Sequence, residues 1–239
     1  MDQLVGNILR ADGAAEREAG PPAAPRALVL GACGATGEAL VNQLLGGAHY
    51  GEVVAVTRLP LPSTTRKLVA HHVPETRALH EAPWPQVRDA FFVIGERHSY
   101  YRRDEAYRAL SIAEVMPAAA AARAAGIERL ALVSPVAIYA HSAAFRKNLM
   151  NLVEYELFAL GFETLALVRP AAPDKFAHQG NFGKRLAAFL LRQVHGLMPE
   201  SYQPPSARLV ALAAARSLPD TGTGLVIIDA DDVRGAAAQ

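Results

Sequence analysis

Three features of this 239-residue chain could do chemistry. The run Gly31-Ala32-Cys33-Gly34-Ala35-Thr36-Gly37 is built from small residues that let a backbone turn tightly and offer its N–H groups. Such groups recognise anions, phosphates above all. Arg58 follows about twenty residues later, and its forked guanidinium suits a phosphate ester. Ser134 ends a second apolar run, Leu130 to Val133. Its hydroxyl could bind a carbonyl or alcohol oxygen, or cap a turn with Pro135.

These residues need elements to hold them. Arg26 to Leu30 predicts a strand entering the glycine turn. A helix follows, with Leu40, Val41, Leu44 and Leu45 on one side, and then a strand over Val53 to Val56 that ends at Thr57-Arg58. Strand, glycine turn, helix, strand is the opening unit of a dinucleotide-binding fold. In that unit Gly31 makes the sharp exit, Gly34 lets the backbone approach a pyrophosphate, and Gly37 lets the helix pack on the sheet. Cys33, Ala35 and Thr36 complete the phosphate loop. The spacing is GxxGxxG rather than GxGxxG, and the same glycines could serve packing alone. An NAD site places an acid at the end of the second strand for the ribose hydroxyls. Here Arg58 stands there, which favours the 2′-phosphate of NADP over NAD. A solvated strand-end arginine is the alternative. Arg66 and Lys67 could assist, or simply be solvated.

The rest of the chain repeats the pattern. Strands are expected at 68–70, 90–94, 130–134, 162–168 and 224–228. Gly95 ends the second of these, where a loop could pass close to the adenosine side of a cofactor. Helices are expected at 105–125 (with Pro117 kinking or restarting it), 148–160, 184–194 and 206–217. In the 148–160 helix, Glu154 and Glu156 are placed on or near the outer face. This alternation implies an α/β, Rossmann-like doubly wound sheet, mostly parallel, with helices on both faces. Residues 1–25 read as a flexible N-terminal extension. Residues 26–239 form one NAD(P)-binding domain, in which 171–239 supply a small substrate-side cap and the last strand. His178 lies in that loop as a candidate of low rank.

Composition excludes other classes. A formal net charge of +1 offers no field for nucleic acid or an anionic membrane. Cys33 is the only cysteine, so there is no intrachain disulfide and no thiolate-rich metal site. His71-His72 has only Glu75 nearby at ligand spacing, and adjacent strand residues face opposite ways, so no metal is expected. No run suggests a membrane span, and the first ten residues lack the pattern of a secretory signal. The default setting is cytoplasmic, with a small-molecule substrate or none as partner and a homodimer allowed.

The combination of Gly31 to Gly37, Thr57-Arg58, the run ending at Gly95, Leu132-Val133-Ser134 and Leu167-Val168-Arg169-Pro170 resembles the atypical short-chain dehydrogenase/reductase superfamily, in its NmrA-like and TIP30-like branch. The resemblance covers roughly residues 26–170. It implies a bound dinucleotide, usually NADP(H), and in active members a serine followed by a YxxxK pair. Ser134 matches the serine. Arg146 and Met150 stand at the tyrosine and lysine positions. Tyr139 and Lys147 are the nearest substitutes, but too far apart to share a helical turn. The resemblance thus implies an NADP-binding oxidoreductase-like or epimerase-like protein, with a non-catalytic dinucleotide-binding regulator or scaffold as the alternative.

Overall fold

The computed structural model describes residues 24–61, 65–95, 105–134, 152–170 and 205–236. Within them, seven strands form one sheet: β1 (Arg26–Leu30), β2 (Glu52–Thr57), β3 (Leu68–His72), β4 (Asp89–Val93), β5 (Arg129–Val133), β6 (Thr164–Val168) and β7 (Gly224–Ile228). Their order is β3-β2-β1-β4-β5-β6-β7, and each pairing is parallel. The chain steps outward from β1 to β2 and β3, then returns to place β4 on the other side of β1. That reversal opens a crevice at the carboxyl ends of β1 and β4, where open α/β sheets take their ligands.

Strands covered on both faces read as continuous apolar runs, and β1, β4, β5 and β6 do. Ala27, Val29, Val53, Phe91, Ala131 and Val168 face one core. Leu28, Leu30, Val54, Phe92, Leu132 and Leu167 face the other. The first core is closed by α1 (Gly34–Gly46), whose Leu40, Val41 and Leu44 are buried. The second is closed by α2 (Ile112–Ala124) and α3 (Leu152–Ala159), through Val115, Ala118, Ala122 and Leu157. Trp84 is a packing residue there, stacked on Phe92 with centroids 6.1 Å apart. α4 (Ala207–Ser217) precedes β7 but returns to the α1 face, where it packs against α1. The short α5 (Ala230–Gly235) adds Val233 to the same layer. Residues 205–236 are thus part of the two main layers, and the segment between β6 and α4 lies outside the described residues.

Three sequence expectations are corrected. The helix expected over 105–125 is interrupted: Glu105 and Ala106 are helical, and the main helix runs only from Ile112. Before it, Tyr107 and Leu110 are held in extended bridges, antiparallel to Thr57 and Gly95 respectively. Both are buried, so burial across the sheet edge overrides the helical pattern. Ser111 and Glu114 form a capping box that marks the true start, and Pro117 lies inside the helix on its exposed side. Glu154 is not on an outer face: it is fully buried. It accepts from Arg169 Nε at 3.0 Å and from a terminal guanidinium nitrogen at 2.7 Å. The partner comes from the end of β6, which a helical wheel cannot show. Lys67 precedes β3, at the end of the sheet opposite the crevice. Its ammonium donates to the carbonyls of Leu44 (2.9 Å), Leu45 (2.9 Å) and Gly47 (2.6 Å), closing the carboxyl end of α1.

The amino-terminal edge of the sheet carries its own polar network. Asp89 is fully buried. It accepts from Arg129 Nε at 2.6 Å and from the Tyr50 hydroxyl at 2.6 Å. Burial, and then the bond to Asp89, push the Tyr50 phenol up. This network lies at the edge that ligands do not use in such sheets, and its role is structural.

Candidate functional site

The glycine turn follows β1 and has the geometry its residue types imply. Gly31 has φ +82° and Gly34 has φ +75°, a region open to glycine at little cost. A Cβ on Gly31 would overlap the Val93 carbonyl oxygen at the end of β4 and meet Leu110 Cβ at 3.4 Å. Gly31 therefore seats β1 against β4 and the 107–110 segment. A Cβ on Gly37 would overlap the Gly31 carbonyl oxygen and stand 2.6 Å from the Ala32 carbonyl carbon. That contact draws the first turn of α1 onto the strand exit. Cys33 is the N-cap residue of α1 but supplies no side-chain cap, and no acid lies in the first turn. Cys33 is buried, while Ala35 is exposed and Thr36 half-exposed. The amino end of α1 thus faces outward with its positive dipole unopposed by a carboxylate.

β2 brings Arg58 to the same edge. Its N–H donates to the Ala106 carbonyl (2.8 Å), so the 105–110 segment fixes its main chain. Its side chain is 21% exposed, and one terminal nitrogen stands 3.9 Å from Glu75 Oε2. Its Nε is buried and has no hydrogen-bond partner among the described residues. Buried donors are normally satisfied, so this nitrogen is an unmet donor among the described residues. Thr57 Oγ1, beside it, is likewise buried and unpartnered.

Gly95 lies just beyond β4 and donates its N–H to the Leu110 carbonyl at 3.2 Å. Among the described residues, a Cβ there would meet nothing within 4 Å. Ser134 follows β5. It is buried, and its N–H donates to the Val168 carbonyl at 3.1 Å. The structure therefore gathers Gly31 to Gly37, Arg58, Gly95 and Ser134 along one carboxyl edge, from four different strands. Tyr139 and Lys147 lie outside the described residues, as do Arg146, Met150 and His178.

Reading the sequence alone misses the residues that hold this edge together. Arg108 is buried. It donates to the carbonyls of Pro74 (2.8 Å) and Arg77 (3.3 Å) and to Glu114 Oε1 (3.1 Å). One side chain thereby ties the turn after β3 to the start of α2. Burial pushes the Glu114 carboxyl up, but its bonds from Ser111 and Arg108 outweigh this and hold it below the usual range. The pattern Ser111-x-x-Glu114 was the available signal, as a capping box.

The residues present fit a phosphorylated dinucleotide. Positive φ at Gly31 and Gly34 shapes a tight turn at the strand exit, α1 offers an amino end with no side-chain cap, and Arg58 offers a guanidinium whose Nε has no partner among the described residues. Among the described residues no three metal-ligating groups converge, and no helix is long and apolar enough to cross a membrane.

The architecture is a Rossmann-like α/β fold, a parallel seven-stranded sheet with helices on both faces. The same fold is found in the triphenylmethane reductase of Citrobacter sp. complexed with NADP(H), at 18% identity and TM-score 0.50, over 84% of this chain and 68% of that one. It is found in the NADPH-dependent quinone oxidoreductase QOR2 of Escherichia coli complexed with NADPH, at 17% identity and TM-score 0.52, over 84% and 67%. MoeE5, in complex with UDP-glucuronic acid and NAD, shares it at 20% identity and TM-score 0.51, over 85% and 75%. At these identities the likeness establishes the fold. No protein-family model matches the chain, and no curated protein matches it by sequence.

Proposed function

We propose that this chain binds NADP(H) across the carboxyl ends of β1, β2 and β4, and acts as an oxidoreductase-like protein on a small carbonyl or alcohol substrate in the cytoplasm. The observation that carries the reading is Arg58, whose Nε has no partner among the described residues, one strand away from the amino end of α1. In this reading the pyrophosphate lies over the turn at Gly34, Ala35 and Thr36, and the 2′-phosphate meets Arg58. Bound nicotinamide would supply the hydride chemistry, and Ser134 would orient the substrate oxygen. Structures of the same fold complexed with NADP(H) and NADPH support the cofactor assignment.

Titration of the pure protein with NADPH and NADH, followed by nicotinamide fluorescence, tests it. NADPH is expected to bind more tightly. Arg58→Gln should weaken NADPH about 10- to 100-fold, the loss of a charge-assisted phosphate contact, and leave NADH nearly unchanged. Equal affinities in the wild type, or an R58Q variant that still prefers NADPH, would remove the role given to Arg58. A second reading, a dinucleotide-binding regulator without turnover, is favoured by Arg146 and Met150 standing where active relatives carry tyrosine and lysine. A carbonyl-substrate screen with NADPH separates the two. Turnover that falls in Ser134→Ala supports the enzyme, and binding without turnover supports the regulator.

A further inference from the structure

The acid absent from the end of β2 is supplied in space by the turn after β3. The Val73 N–H donates to the Thr57 carbonyl at 2.7 Å, which carries the β2–β3 pairing one step past His72. The chain then turns, and Glu75 comes alongside Arg58 with Oε2 at 3.9 Å from the guanidinium. This turn is not left to solvent. Buried Arg108 holds the carbonyls on both sides of Glu75, those of Pro74 and Arg77. At 3.9 Å the pair is an ion pair but too long for a hydrogen bond. Glu75 therefore places negative charge beside Arg58 without occupying its buried Nε donor.

Resting on the cofactor reading above, we propose that Glu75 is a specificity-determining residue that tempers the affinity of the Arg58 site for a 2′-phosphate and so narrows the preference for NADP(H) over NAD(H). A 2′-phosphate on Arg58 brings its negative charge within a few ångströms of the Glu75 carboxylate. NAD(H) carries no such group and does not meet this repulsion. The carboxylate is 44% exposed, so solvent screens much of the interaction. Two charges at such separations in a largely aqueous dielectric alter an equilibrium by about 3- to 10-fold.

The test is Glu75→Gln, an isosteric and partly exposed change that leaves the Arg108 contacts to the backbone in place. NADPH should bind E75Q about 3- to 10-fold more tightly than wild type, with NADH within twofold, and the NADPH gain should shrink as salt is raised from low to high ionic strength. Glu75→Ala should show the same direction. NADPH binding that is unchanged or weaker in both variants overturns the proposal. Such a result alongside an R58Q variant that has lost its NADPH preference removes Glu75 alone. An R58Q variant that keeps the preference removes the Arg58 reading and this inference with it.

Discussion

The ion pair between Glu154 and Arg169 gives a sharp test of how the carboxyl edge is held together. Both side chains are about 1% exposed, and two bonds of 3.0 and 2.7 Å join the first turn of α3 to the exit of β6. Glu154→Leu leaves the buried Arg169 guanidinium without its Glu154 partner. Breaking such a pair on one side costs about 3–5 kcal/mol, most of it the desolvation of the charge left behind. Arg169→Met should cost a similar amount for the mirror reason. The double variant removes both charges and keeps most of the volume. It is expected to lie within about 1–2 kcal/mol of wild type, or above it. Urea unfolding followed by circular dichroism at neutral pH, on all four proteins, measures the cycle. A coupling energy of several kcal/mol is expected, far beyond the few tenths seen for independent sites. Single variants that lose less than about 1 kcal/mol, or a double variant whose loss equals the sum of the singles, would refute the claim that these charges are buried and mutually dependent.

Two further perturbations separate packing from ligand binding. Gly37→Ala should cost about 1–3 kcal/mol, since its Cβ would run into backbone atoms of Gly31 and Ala32 rather than a yielding side chain. It should also abolish nucleotide binding by lifting α1. Gly46→Ala meets nothing within 4 Å and should stabilise by about 0.4–1 kcal/mol, so urea midpoints moving in the same direction for both would overturn this account of the glycines. Lys67→Met should lower stability by about 1–2 kcal/mol through the lost bonds at the end of α1, while NADPH affinity stays within twofold. A large loss of NADPH affinity would return Lys67 to the cofactor site.

The sheet was legible because its strands are buried on two faces, which forces near-continuous apolar runs such as Arg26 to Leu30 and Ala90 to Ile94. The glycine turn was legible because positive φ at Gly31 and Gly34, and close approach at Gly37, leave few other residue types open to those positions. The parts that escaped have causes outside their local sequence. Tyr107 to Leu110 has a helical apolar pattern, yet it is drawn across the sheet edge by bonds to the ends of β2 and β4. Glu154 on a helical wheel looks solvated until Arg169 arrives from fifteen residues away. Lys67 reads from sequence as solvated or as an aid to a phosphate, but it lies just before β3, on the opposite edge, where it closes α1. In each case the deciding partner belongs to another element, and periodicity within one element carries no information about it.

Those same long-range contacts explain why Arg58 can keep a donor open. Its N–H is held by Ala106, the Thr57 carbonyl next to it is held by Val73, and Arg108 locks the turn that flanks it. The main chain is fixed from two sides, so the side chain cannot satisfy its Nε by letting the strand end relax. A buried donor left unpaired costs about 1–3 kcal/mol in the free protein. On the proposed reading, an oxygen of the 2′-phosphate would offset that cost. This ties the stability of the edge to its ligand. On the same reading, saturating NADPH should raise the urea midpoint more than saturating NADH does.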